Sequence, residues 1–401
     1  MQKVERKKSA MKRKIEEILP WVIGWRRDLH QIPEIGNELP QTADYICRRL
    51  KEMEIEYRRL MDGNAIVGVI RGAKAGRTIA LRADMDALPI PEETGLTFAS
   101  KNGNMHACGH DAHAAMLLGA ATLLRQMREE LEGNILLLFQ PGEEYPGGAE
   151  PMIREGALED PKPDAIVGLH CGDIGGLSDP GSIGISYGAM MASMDKIRLR
   201  VKGKGAHGAY PQLSIDPILI AAHIVTALQS IVSRSIAPTQ EAVVSICSIH
   251  GGCNQNIIPD EVEMEGTVRA TSEKTREELA KKIRSLAEGI AGAYGASCEV
   301  FYEYKYPPLI NDAKFTEFFK NCAEEVMDVS KIKTLDRPVM GGEDMAFFLE
   351  KAPGTFFFLC NPKAVDGVFH PHHSPKFDVD EEYFSLGIEL LLQTVLRFLN
   401  Q

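Results

Sequence analysis

The chain has 401 residues, a length that favours about two to three domains. With 44% hydrophobic and 25% charged residues it is an ordinary globular composition, which excludes a disordered or fibrous chain. A formal net charge of −11 argues against nucleic acid as a partner. No apolar run approaches the roughly 20 residues of a membrane span, so no membrane partner is expected.

The chain starts basic, with Lys3, Arg6, Lys7, Lys8, Lys12, Arg13 and Lys14. A secretory signal would follow these with an apolar run of about 7–15 residues. Ile15-Glu16-Glu17-Ile18-Leu19-Pro20 follows instead, so a solvated, frayed helix start is expected. The eight cysteines, at 47, 108, 171, 247, 253, 298, 322 and 360, form no CxxC pair. Reduced thiols and a cytoplasmic location are the expectation.

Residues 15–29 and 42–53 read as amphipathic helices. Residues 65–70 and 78–81 are short apolar strands, and 112–127 is an Ala- and Leu-rich helix with Asp111 placed to cap it. Residues 134–139 and 164–169 are near-continuous apolar runs, typical of strands covered on both faces. Strands alternating with helices predict an α/β layer around a mostly parallel central sheet flanked by helices.

Near Met190 the pattern changes. Strand 194–201, helix 217–233, strands 242–249 and 262–270, helix 275–294 and strand 297–304 follow in that order. The series β-α-β-β-α-β is the ferredoxin-like α+β signature, so 191–305 reads as an inserted domain between catalytic parts 1–190 and 306–401. Helix and strand alternation then resumes, ending in helix 383–399.

Polar clusters follow the strands of the first part. Asp84-Met85-Asp86 follows 78–81, Glu143-Glu144 follows 134–139, and His170 ends 164–169. His370-Pro371-His372-His373 follows the strand 356–359 across a loop. Ligands in open α/β sheets bind beyond the carboxyl ends of strands. One sheet edge would therefore gather Asp86, Glu144, His170 and His373 around Cys108-Gly109-His110. Cys108 and His110 cannot share a helix face and must lie in the turn before a helix. Thiolate plus imidazole suits zinc and other first-row metals. His106 and His113 are assigned supporting roles, His113 orienting rather than ligating. Of Glu143 and Glu144, one can bind metal while its neighbour faces a water as general base.

In family order over nearly the whole chain stand Arg27-Asp28-Leu29-His30, Arg82-Ala83-Asp84-Met85-Asp86, His106-Ala107-Cys108-Gly109-His110-Asp111 and Gln140-Pro141-Gly142-Glu143-Glu144. Gly168-Leu169-His170, Gly203-Lys204-Gly205-Ala206-His207, Asn256-Ile257-Ile258-Pro259-Asp260, Gly341-Gly342-Glu343-Asp344 and His373-Ser374-Pro375 continue the series. With these stretches the chain resembles the dinuclear-metal M20 peptidases and amidohydrolases. It is most similar to the branch of hippurate hydrolases, N-acetyldiaminopimelate deacetylase and indoleacetyl-amino-acid hydrolases.

The resemblance implies two divalent ions per subunit (zinc, manganese, cobalt or nickel) held by Cys108, His110, Glu144, His170 and His373. It implies Glu143 as general base, Asp86 as a carboxylate orienting a ligand, and hydrolysis of N-acyl amino acids by metal-activated water. The inserted domain would be the lid and dimerisation domain of a homodimer, tetramers remaining open. Its His207 would polarise the scissile carbonyl, with Asn256 and Arg269 on the substrate carboxylate. Two departures stand out. Asp84 occupies the place where the broader family commonly has a ligand histidine, and Gly142 the place of a usual alanine, a change expected to be tolerated at the risk of loosening the base's position. The alternatives are a metallo-dipeptidase or carboxypeptidase, and more remotely a structural-metal protein. The second is disfavoured by a non-ligating Glu beside a ligand Glu.

Overall fold

The computed structural model describes residues 2–400, with side chains from residue 10 onward, so the side chains of Lys3, Arg6, Lys7 and Lys8 lie outside the described residues. The chain divides into two compact units: residues 1–190, 310–337 and 347–401 form the first, 191–309 and 338–346 the second.

The first unit is built on an eight-stranded sheet. Its early elements are α1 (Gln2–His30), α2 (Pro40–Glu52), β1 (Glu56–Leu60), β2 (Ala65–Arg71), β3 (Lys74–Asp84), α3 (His110–Gln126), β4 (Glu132–Gln140) and β5 (Ala165–Gly172). The strand order is β1-β2-β4-β3-β5, then Gly354–Cys360, Ile183–Ile185 and Ile332–Thr334. β4, β3, β5 and Gly354–Cys360 run parallel side by side, while β1, β2 and Ile183–Ile185 bring antiparallel pairings. The sheet is thus mostly parallel at its centre, where its strands are apolar throughout: Leu136, Leu137, Leu138, Ile166, Val167 and Phe356 to Leu359 are all fully buried. Burial on both faces is what permits strands without alternation.

α3 does not begin with Asp111 as its cap. Gly109 occupies the cap position at φ 86, and the helix starts at His110. The Asp111 carboxylate is drawn instead to Arg26 and His30, at 2.8 and 2.7 Å. A buried guanidinium outbids backbone N–H groups that the next turn can serve. The loop expected ahead of His373 also carries structure, a small hairpin pairing Ala364–Val365 with Val368–Phe369.

The second unit has strands Met194–Lys202, Ala242–His250, Glu261–Ala270 and Ser297–Tyr306, all antiparallel, with Ala242–His250 at one edge. Helices Pro217–Ser230 and Glu273–Ala293 cover one face. The first is capped by Asp216, which accepts from Ile218 N and Leu219 N, the second by Ser272, which accepts from Thr275 N. On the open face, Arg200 lies opposite Glu263 and Glu299, and Lys202 opposite Glu261, so charge is matched across strands.

Two expectations need correcting here. The boundary at 305/306 is displaced: 306–309 and 338–346 group with the second unit. Strand Ser297–Tyr306 continues past 305, and Ala192 N donates to Val339 O at 2.9 Å and Gly341 O at 3.1 Å. Secondly, Pro217–Ser235 is long and apolar enough, by length and composition, to cross a membrane. Within the second unit its Ile220, Ala221, Ile224 and Leu228 enter the core. Its Ile218 and Leu219 are exposed, so the helix carries apolar surface beyond its buried stripe.

Candidate metal centre

The cluster forms beyond the carboxyl ends of the parallel strands, all within the first unit. β3 delivers Asp84 and then Asp86; β4 leads through Pro141-Gly142 to Glu143 and Glu144; β5 delivers His170. Gly142 lies at φ 67, and a Cβ there would stand 1.9 Å from Asn37 Oδ1, so glycine is what this turn needs. Asp86 then pins both glutamates: its Oδ1 accepts from Glu143 N at 3.0 Å and its Oδ2 from Glu144 N at 3.1 Å. The turn is therefore not loosened by the glycine.

Gly109, left-handed, turns the chain so that Cys108 and His110 project from its two sides; a Cβ there would come within 2.9 Å of Cys171 Sγ. Cys108 Sγ lies 3.4 Å from His170 Nε2. For a tetrahedral zinc with sulfur and nitrogen at their usual bond lengths, that edge is about 3.5 Å. His110 turns Nδ1 to Asp86 Oδ1 at 3.2 Å, and its buried Nε2 has no hydrogen-bond partner. That nitrogen lies 4.0 Å from Glu143 Oε2 and 3.6 Å from Asp84 Oδ2. His373, at φ 66, donates its N–H to Ala107 O and places Nε2 3.0 Å from Glu144 Oε1.

Donor atoms of Cys108, His110 and His170, of Cys108, Glu144 and His373, and of His110, Glu143 and Glu144 each converge within 4.8 Å. Four carboxylates, Asp84, Asp86, Glu143 and Glu144, surround them. Burial favours a neutral His110, but Asp84 and the hydrogen-bonded Asp86 outweigh it and push the imidazole up to about 10. Burial, with Glu144, Glu143 and Asp84 nearby, pushes the Cys108 thiol well above its ordinary range. Burial, helped by His113 and His372, drives His170 well below its own. A thiol, two imidazoles and carboxylates converge on one buried spot, and the buried His110 Nε2 faces it without a hydrogen-bond partner. The donor set therefore fits divalent metal ions.

His113 is not available as a donor. Its Nδ1 contacts Asp84 Oδ1 at 2.6 Å and its Nε2 accepts from Cys171 N at 2.9 Å. His372 Nε2 contacts Cys171 O at 2.9 Å. His106 is buried with neither ring nitrogen hydrogen-bonded, and burial brings it down to about 3. From sequence, Asp84 stands only in place of a ligand histidine and carries no role of its own. It accepts from Arg82 and contacts His113, and the signal for it was Arg82 and Asp84 two apart on a buried strand end.

His207, Asn256 and Arg269 belong to the second unit. His207 pairs across the short ladder with Ile257, and Gly208 N donates to Asn256 O at 2.7 Å, so His207 and Asn256 are neighbours. His207 Nδ1 accepts from Ala209 N at 3.1 Å, which leaves Nε2 as the ring's donor. Arg269 lies on Glu261–Ala270; its buried Nη1 has no hydrogen-bond partner, and burial lowers its pKa.

A mostly parallel α/β sheet whose strand ends converge Cys, His and paired Glu defines a metal-dependent hydrolase. The profile of Peptidase family M20/M25/M40 matches residues 80–397. The chain is 41% identical over 399 residues to "Thermostable carboxypeptidase 1" of Saccharolobus solfataricus, covering 98% of each chain. It is 40% identical over 385 residues to "N-acetyl-L-cysteine deacetylase" of Bacillus subtilis, covering 94% of this chain and 88% of that one. Among solved structures, the Bacillus subtilis YxeP protein, described as a dinuclear metal binding peptidase from the M20 family, superposes with a TM-score of 0.81 at 36% identity, covering 96% of this chain and 99% of that one. The chain belongs to peptidase family M20/M25/M40. It is a metal-binding, amide-bond hydrolase of that family.

Proposed function

We propose that this protein hydrolyses N-acyl amino acids to a carboxylic acid and a free amino acid, with Glu143 as general base. The observation that carries this is Glu143 itself: it is buried, its backbone is held by Asp86, and its Oε2 lies 4.0 Å from the unpartnered His110 Nε2. Cys108, His110, Glu144, His170 and His373 would hold two divalent ions, zinc, manganese, cobalt or nickel. Bound there, the metals supply Lewis acidity towards water and the scissile carbonyl. Glu143 takes the proton of the attacking water and returns it to the departing nitrogen. With metal bound, a neutral His110 would donate its Nδ1–H to Asp86 and leave the Nε2 lone pair for the ion.

His207, with Nε2 as its donor, polarises the carbonyl oxygen. Arg269, a cation with an unpartnered buried N–H, and Asn256 take the substrate carboxylate; as they lie at opposite ends of Glu261–Ala270, they would do so from different subunits. The similarity to a deacetylase of N-acetyl-L-cysteine supports the N-acyl class. The similarity to a carboxypeptidase keeps a second reading, since peptides also end in a carboxylate.

The edge strand Ala242–His250 and the exposed apolar Ile218, Leu219 and Ile249 support two-fold pairing through the second unit, giving a homodimer whose His207 serves the other subunit. A cytoplasmic enzyme with small-molecule substrates is the setting we infer.

Glu143→Gln is expected to keep its metal content and lose roughly 10²–10⁴-fold in kcat. Near-parental turnover in that variant would remove Glu143 from the role. Side-by-side assay of N-acetyl, N-benzoyl and dipeptide substrates separates the acylase from the carboxypeptidase reading.

A further inference from the structure

The first and last members of the donor set lie far apart in sequence, Cys108 and His110 in one segment and His373 in another. One buried guanidinium touches both segments. Arg26, in α1, is 1% exposed. Its Nε donates to Asp111 Oδ2 at 2.8 Å, its Nη2 to Asp378 Oδ1 at 2.9 Å and its Nη1 to Glu381 Oε1 at 3.2 Å. Asp111 is the residue after His110, and Asp378, itself buried, lies five residues after His373. We propose that Arg26 is a positioning residue for the metal centre, holding the Cys108–His110 segment against the His373 segment. The proposal rests on the ligand reading above.

The geometry is specific to arginine. A planar fork with donors on three nitrogens can meet three carboxylates at once, which a lysine's single ammonium cannot do. The neighbouring groups do not duplicate it. Arg27 reaches Glu381, at 2.6 and 3.0 Å, and His30 reaches Asp111 and Glu92. Lys363 approaches Asp378 Oδ2 at 3.3 Å from the other side. Among the described residues, Arg26 is the side chain hydrogen-bonded to both Asp111 and Asp378. Without it, two buried carboxylates on the facing segments lose their shared counter-charge and repel. The joint that would yield is narrow: His373 N on Ala107 O at 2.8 Å, and Phe377 against Gly109. Displacement there moves His373 away from Cys108 and Glu144.

The experiment titrates Zn²⁺ into metal-free protein against a chromophoric chelator. Arg26→Gln is expected to weaken zinc binding by about 10–100-fold, the range typical for residues that orient ligands. Arg26→Lys should fall between it and the parent. Asp378→Asn, which keeps the side chain's shape, should weaken it in the same direction and serves if Arg26→Gln does not fold. Arg276→Gln, in the second unit's own buried ion pair, is the control for general destabilisation: it should lower the melting temperature and leave zinc affinity unchanged. A folded Arg26→Gln or Asp378→Asn protein with parental zinc affinity overturns the positioning role alone. A parent protein that binds no zinc overturns the ligand reading and the inference with it.

Discussion

At the scale of single residues, the donor cluster is braced by carboxylates that hold its backbone and rings. Asp86 has each oxygen on a backbone N–H and one also on His110 Nδ1. Asp86→Asn replaces an acceptor with a donor among donors. Metal retained after dialysis should reflect an affinity about 10–100-fold weaker. Gly142→Ala tests the turn before Glu143. With φ at 67 and Asn37 Oδ1 in the way, it should cost on the order of 1–3 kcal/mol, read as a lower urea midpoint. That Glu144, His170 and His373 gather around Cys108 and His110 was legible because their segments follow apolar strands of one sheet; their ligand roles came only from the family resemblance. Arg26 was not legible. Its partners Asp111, Asp378 and Glu381 lie far along the chain, and no local pattern reports a distant ion pair. Asp111 was misread for the same reason: a first-turn carboxylate looks like a cap until a buried cation claims it.

At the scale of elements, long strongly patterned segments were legible and short ones were not. Strand Glu261–Ala270 alternates cleanly, with Val262, Met264 and Val268 buried. Ile183–Ile185 and Ile332–Thr334 are too short to show a period, and they enter the sheet only through their neighbours. In the second unit, strand Met194–Lys202 is tied to helix Glu273–Ala293 by a buried pair. Arg276 meets Asp195 at 2.7 and 2.9 Å, and Asp195 also accepts from Tyr302 and Lys305 N. Arg276→Met strands that carboxylate. A loss of about 3–5 kcal/mol is expected, measured by urea unfolding followed in the far ultraviolet. A loss below about 1 kcal/mol would put the pair among surface bridges of little worth.

At the scale of the whole molecule, metal and fold are coupled. Chelation should abolish hydrolysis and lower the melting temperature. Zinc returned at a hundredfold excess over its dissociation constant should restore about 2.7 kcal/mol of stability, read by calorimetry. If the melt does not respond to metal, the donor cluster is not a binding site. The order in which the chain is made adds a constraint of its own. Strand Gly354–Cys360 lies between β5 and Ile183–Ile185, and His373 lies beyond it. Residues 191–309, which pack among themselves, leave the ribosome before either. The second unit can therefore fold while the central sheet still has a gap and the donor set lacks its last member. On the proposed ligand set, Cys108, His110, Glu144 and His170 are made before the second unit and His373 after it, so the site would be complete only in the finished polypeptide.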